Sequence, residues 1–156
     1  MGRDQVKYAK ETGVSPSRSR LEIEHTLSRY GATQFAYGWK DQSAMIGFEF
    51  SNRLIRFTVN VPNPSEVRTP KGRRPRYPTQ AHEQVVKQIW RALALGIKAK
   101  LELVESGITT FEQEFLPQTV LPNGQTFGEW AEPQLDAIYT SRKMPPLLMS
   151  GNSNEE

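Results

Sequence analysis

Residues 32–61 read ATQFAYGWKDQSAMIGFEFSNRLIRFTVNV, and their period decides the fold. Phe35, Tyr37 and Trp39 alternate with Gln34, Ala36 and Gly38. Beyond the polar turn Lys40-Asp41-Gln42, the residues Ala44, Ile46, Phe48 and Phe50 keep the same alternation. Ser51-Asn52 supplies a second tight turn, and Ile55, Phe57, Val59 and Val61 follow, with Arg56, Thr58 and Asn60 between them. A period of two puts successive side chains on opposite faces of a strand. The stretch therefore predicts a three-stranded antiparallel meander with one apolar face and one face wet enough to carry Arg56, Thr58 and Asn60.

Helical periods lie on both sides of the meander. Ile23, Leu27 and Tyr30 fall at i, i+4 and i+7, so a helix is expected over roughly 16–30. Ser15-Pro16 should start it and Gly31 should stop it. Downstream, Val85, Ile89, Leu93, Ile97 and Leu101 recur every four residues, flanked by Val86, Trp90 and Val104. This predicts a long helix capped by Thr79 and ending near Ser106-Gly107, its stripe laid over the sheet. Thr109 with Glu112, and Thr126 with Glu129, match capping boxes that open two shorter helices. Pro133 is expected to break or kink the second of these, and Met144-Pro145-Pro146-Leu147-Leu148 to run extended. The fold class is α+β: a meander covered by a long helix, with an N-terminal helix and short C-terminal helices. The expected organisation is a flexible leader over 1–14, one domain over 15–148 and a disordered tail over 149–156.

Composition narrows the function classes. The 156 residues contain no cysteine, which removes disulfides, thiolate metal sites and a cysteine nucleophile. No signal peptide or membrane-spanning stretch is legible, so a soluble intracellular protein is expected. His25 and His82 lie on separate elements without metal-ligand spacing. Glu22/Glu24 and Glu112/Glu114 sit at i, i+2 on helices, where side chains diverge. No glycine-rich phosphate loop or nucleophile elbow is present. No catalytic residue, cofactor or metal is assigned.

The unusual feature is residues 62–78, PNPSEVRTPKGRRPRYP. Arg68, Lys71, Arg73, Arg74 and Arg76 face one acid, Glu66, giving a local net charge of +4 in a chain whose total is +3. Five prolines exclude a helix or central strand. An extended basic arm is expected between sheet and long helix, suited to a phosphate backbone or an acidic protein surface. Arginine outnumbers lysine four to one, which suits forked phosphate contacts. Tyr77 could stack on a base. Lys87, Arg91 and Lys98 form a basic stripe on the long helix, of which Lys87 and Arg91 could extend the phosphate track. The plainer account of that stripe is a solvated face with Lys98 and Glu102 paired. Trp39, Trp90, Trp130, Phe111 and Phe115 are expected in the core, with Trp39 the one placed for exposure near a turn.

Three stretches together resemble a family of small, function-unassigned proteins from bacteriophages and integrated mobile elements. They are Arg29-Tyr30-Gly31-Ala32 followed by Phe35; the run from Trp90-Arg91-Ala92-Leu93 through Ile97–Glu102 to Glu105-Ser106-Gly107-Ile108; and Leu121-Pro122-Asn123-Gly124 with Gly128, Trp130, Pro133-Gln134, Tyr139 and Met144–Leu148. The resemblance spans about residues 18–148. It implies a bacterial host cytoplasm and a role in replication, recombination or counter-defence, and it supplies no active site. The leading expectation is a non-enzymatic DNA- or RNA-binding accessory protein of low sequence specificity. The alternative is a phage inhibitor or adaptor docking on an acidic host protein. Oligomeric state is not legible.

Overall fold

The computed structural model describes residues 17–144. The expected leader, the Ser15-Pro16 helix start, the strip after Met144 and the tail lie outside the described residues. Helix α1 (Ser17–Arg29) leads into strands β1 (Thr33–Lys40), β2 (Ser43–Phe50) and β3 (Arg53–Asn60). The arm follows, then the long helix α2 (Pro78–Glu105), a short α3 (Phe111–Glu114), a 3-10 turn (Leu116–Gln118) and α4 (Phe127–Ser141). The architecture is α+β, as the periods predict.

The strands pair antiparallel in the order β1-β2-β3. Register puts Tyr37, Ile46 and Phe57 side by side, and likewise Trp39, Ala44 and Val59. Ser51 and Asn52 are both at positive φ, as a tight two-residue hairpin demands. A register shift between Thr33 and Ala36, with Gln34 at φ 55°, marks a bulge at the start of β1. Ala44, Ile46, Phe48 and Ile55 are buried against Ile23 and Leu27 of α1 and Val86, Trp90, Ala94, Ile97 and Leu101 of α2. Phe111 and Phe115 close the core's far end: Phe111 stacks on Phe50 and Phe115, and Phe115 meets the edges of Phe48 and Phe57.

Helices α1 and α2 stop by the same device. Gly31 and Gly107 adopt left-handed φ of 93° and 71°. Ala32 N–H donates to Leu27 O, and Ile108 N–H to Leu103 O, closing a Schellman motif at each end.

Several boundaries differ from expectation. Helix α2 begins at Pro78, one residue before the predicted cap, with Tyr77 at the N-cap and no side-chain cap bond. Proline at the first helical position brings a preset φ and no N–H to satisfy, which favours a helix start there. The first capping box is Thr110 with Gln113, not Thr109 with Glu112. Helix α4 continues through Pro133 without a break. Gln134 Nε2 donates to Trp130 O at 2.8 Å, bonding a carbonyl in the turn where proline supplies no N–H. Trp90, Phe111 and Phe115 are buried, whereas Trp39 and Trp130 are exposed.

The C-terminal segment explains the wet face of the sheet. Thr119 bridges Ile55, and Val120 N–H donates to Leu54 O, extending the sheet beyond β3. Arg56 donates to Gly124 O at 2.9 Å and pairs with Glu129 at 3.0 Å. Asn60 accepts from Ser43 Oγ at 3.0 Å. Arg56 and Asn60 thus hold structure together.

Candidate nucleic-acid interface

The arm is folded rather than extended. Val61 N–H donates to Gln42 O and its side chain joins the core, so the chain is fastened to the domain at its start; Val67, six residues later, is also buried. His82 of α2 bonds Pro62 O through Nε2 at 2.9 Å. Between the valines, Glu66 accepts from Asn63 N–H at 2.8 Å and closes a turn over Asn63–Glu66.

A second turn carries the charge. Thr69 N–H donates to Arg73 O and Gly72 N–H to Thr69 O, with Gly72 at φ 73°. These bonds define a three-residue hairpin loop whose third residue is left-handed. Leu121–Gln125 repeats the design: Leu121 N–H donates to Gln125 O, Gly124 N–H to Leu121 O, and Gly124 lies at φ 86°. Thr-Pro-Lys-Gly-Arg and Leu-Pro-Asn-Gly-Gln share the pattern Pro-x-Gly, which was the available signal for order in the arm. Lys71 therefore sits in a tight loop.

All five cations and Tyr77 are exposed. Arg68 turns back and donates to Ser65 O and to Val67 O, bracing the first turn. Arg76 lies over the Tyr77 ring, 5.6 Å from its centroid, a planar pair 59 % exposed on the Tyr77 side. The side chains of Lys71, Arg73 and Arg74 make no hydrogen bond or ion pair with described residues. Glu66 accepts from a backbone amide, and among the described residues it forms no ion pair with a cation of the arm.

Lys87 and Arg91 are exposed on α2 but form a separate group. At 100° per residue, Lys87 lies about 140° and Arg91 about 180° around the helix from His82, which holds the arm's first residue. They leave the helix on its other side. Sequence spacing suggested one track; helical phase divides it at its base.

A shallow cleft of about 270 Å³ opens between β3 and the C-terminal segment, lined by Arg56, Thr58, Gln118, Thr126 and Glu129. Its two charges, Arg56 and Glu129, are paired with each other. Among the described residues, no group of three or more His, Asp or Glu side chains is placed to hold a metal ion, and no helix is long and apolar enough to cross a membrane. No family model, curated protein or solved structure matches the chain.

Proposed function

We propose that this is a non-enzymatic nucleic-acid-binding protein that grips phosphates with residues 68–77. The observation that supports the reading is a cluster of cations without ion pairs among the described residues, on a loop folded by the Gly72 turn and tied at its base by His82. A preformed loop spends less conformational entropy on binding than a slack one. Lys71, Arg73 and Arg74 would contact phosphates directly, and Arg76 with Tyr77 would offer a face for a sugar or an unstacked base. Arg68 would serve chiefly to hold the loop. Lys87 and Arg91 could touch only a strand that passes round α2. No base-reading helix is evident, so affinity should depend weakly on sequence. The resemblance to phage and mobile-element proteins adds a setting, an accessory role in replication or recombination within a bacterial cell.

The test is fluorescence anisotropy with labelled single- and double-stranded oligonucleotides at low salt. Wild type should bind both random and designed sequences, and Arg73→Ala/Arg74→Ala/Arg76→Ala should lose at least about tenfold in affinity. Absence of binding by wild type would refute the proposal and turn the search to an acidic protein surface.

A further inference from the structure

We infer that the outer face of α2 is a self-association surface that takes a second copy of this chain in antiparallel orientation. Helix α2 has 28 residues, a length of about 42 Å. Its inner face is buried through Val86, Trp90, Ala94, Ile97 and Leu101. On the opposite side Gln88, Ala92, Leu95, Gly96, Ala99 and Leu103 form an uncharged seam. Its two leucines are 55 % and 38 % exposed, at Leu95 and Leu103. Both stand on the solvent side of the helix, where a partner would bury them.

The seam admits an antiparallel partner. It is symmetric about the peptide joining residues 95 and 96. Gln88 and Leu103 stand equally far from that point, as do Ala92 and Ala99, and Leu95 and Gly96. Under a two-fold axis there, Leu95 of each copy faces Gly96 of the other. Space above Gly96 is open, since a Cβ built on it meets nothing within 4 Å. Ala92 meets the partner's Ala99, and small residues at that contact let two backbones approach closely. A two-fold interface requires this self-complementarity: what i offers j, j must offer i.

Charge completes the match. Arg91 and Glu102 lie on one flank of the seam, within about 40° of Leu95 around the helix. Their midpoint falls one residue from the seam's centre, so antiparallel pairing sets Arg91 of each copy beside Glu102 of the other. Parallel pairing about a two-fold axis would put the two copies of this flank on opposite sides of the seam, with no such pair. Lys98 comes near its twin on that flank, a repulsion weakened by solvent and by its i+4 neighbour Glu102. One helix face is smaller than the roughly 800 Å² per partner of a stable interface, so association should be in the micromolar range.

Sedimentation velocity of the full chain, without nucleic acid, tests this apart from the phosphate-binding proposal. Mass should rise from one chain towards two between about 1 and 200 μM. Leu95→Glu should hold it at one chain, with unchanged circular dichroism because the position is exposed. Arg91→Glu and Glu102→Arg should each weaken association about tenfold, and the double exchange should recover most of it. A wild type that stays monomeric, or a Leu95→Glu variant that still dimerises, would overturn the surface. A double exchange no better than either single one would overturn the antiparallel arrangement.

Discussion

Trp90 shows how single residues set the stability of this fold. It is 1 % exposed, its ring meets Tyr37, and the Arg20 guanidinium lies 5.2 Å from its centroid. Its indole Nε1 is buried without a hydrogen-bond partner among the described residues. Trp90→Ala should cost about 3–5 kcal/mol by opening a cavity. Trp90→Phe should cost less than half of that, because the smaller ring removes an unpaired donor with the lost volume. Urea unfolding of both variants checks the ratio; equal costs would mean that the N–H is bonded. Tyr37 makes a pH prediction. Burial foremost, then a hydrogen bond to Glu24 and that carboxylate's charge, hold its hydroxyl above the ordinary tyrosine range, with Arg20 opposing. In the unfolded chain the group ionises near pH 10. Above that pH the unfolded state releases a proton that the folded state keeps, so stability present below about pH 10 is lost as pH rises. Tyr37→Phe should flatten that alkaline decline, measured as the urea midpoint between about pH 8 and 11.

Among the elements, glycines and caps decide where chain direction changes. Thr126 and Glu129 form a reciprocal capping box at the start of α4, and Glu129 also holds Arg56 of β3. Thr126→Ala should cost about 1 kcal/mol. Glu129→Ala should cost more, since it removes both the cap and the tie to the sheet, and should speed proteolysis near Gly124. In the arm, Gly72→Ala changes no charge but forces a side chain into left-handed φ, at about 1–2 kcal/mol. If the arm works as a preformed loop, this variant should bind oligonucleotides several-fold more weakly while keeping the wild-type salt dependence. The meander, α1 and α2 were legible because each carries an unbroken period of two or of 3.6. Cap positions were less so: Thr109–Glu112 and Thr110–Gln113 are equally good boxes on paper, and the burial of Phe111 selects the second. Arg56 was legible only as part of the sheet's wet face, because nothing local showed that residues distant in sequence, Gly124 and Glu129, would meet it. The arm's turn has a local signal, Pro70-Lys71-Gly72, the same Pro-x-Gly pattern as Pro122-Asn123-Gly124.

On the scale of the whole molecule, charge is unevenly spread: the arm carries +4 and the chain +3. Hydrophobic burial accounts for the sheet, α1, α2 and the phenylalanine cluster, and none of it requires the arm's cations. Their position on an ordered, exposed loop is the physical basis for the proposed phosphate grip. The most direct measurement is the salt dependence of oligonucleotide affinity for wild type and for Arg73→Ala/Arg74→Ala/Arg76→Ala. Three phosphate contacts, from Lys71, Arg73 and Arg74, give a log–log slope of about −2.1 on single strands or −2.7 on duplex, and the one left to Lys71 about −0.7 or −0.9. The account predicts a wild-type slope near the first pair, falling towards the second in the triple variant. Equal slopes for the two proteins, or no wild-type binding at low salt, would contradict it.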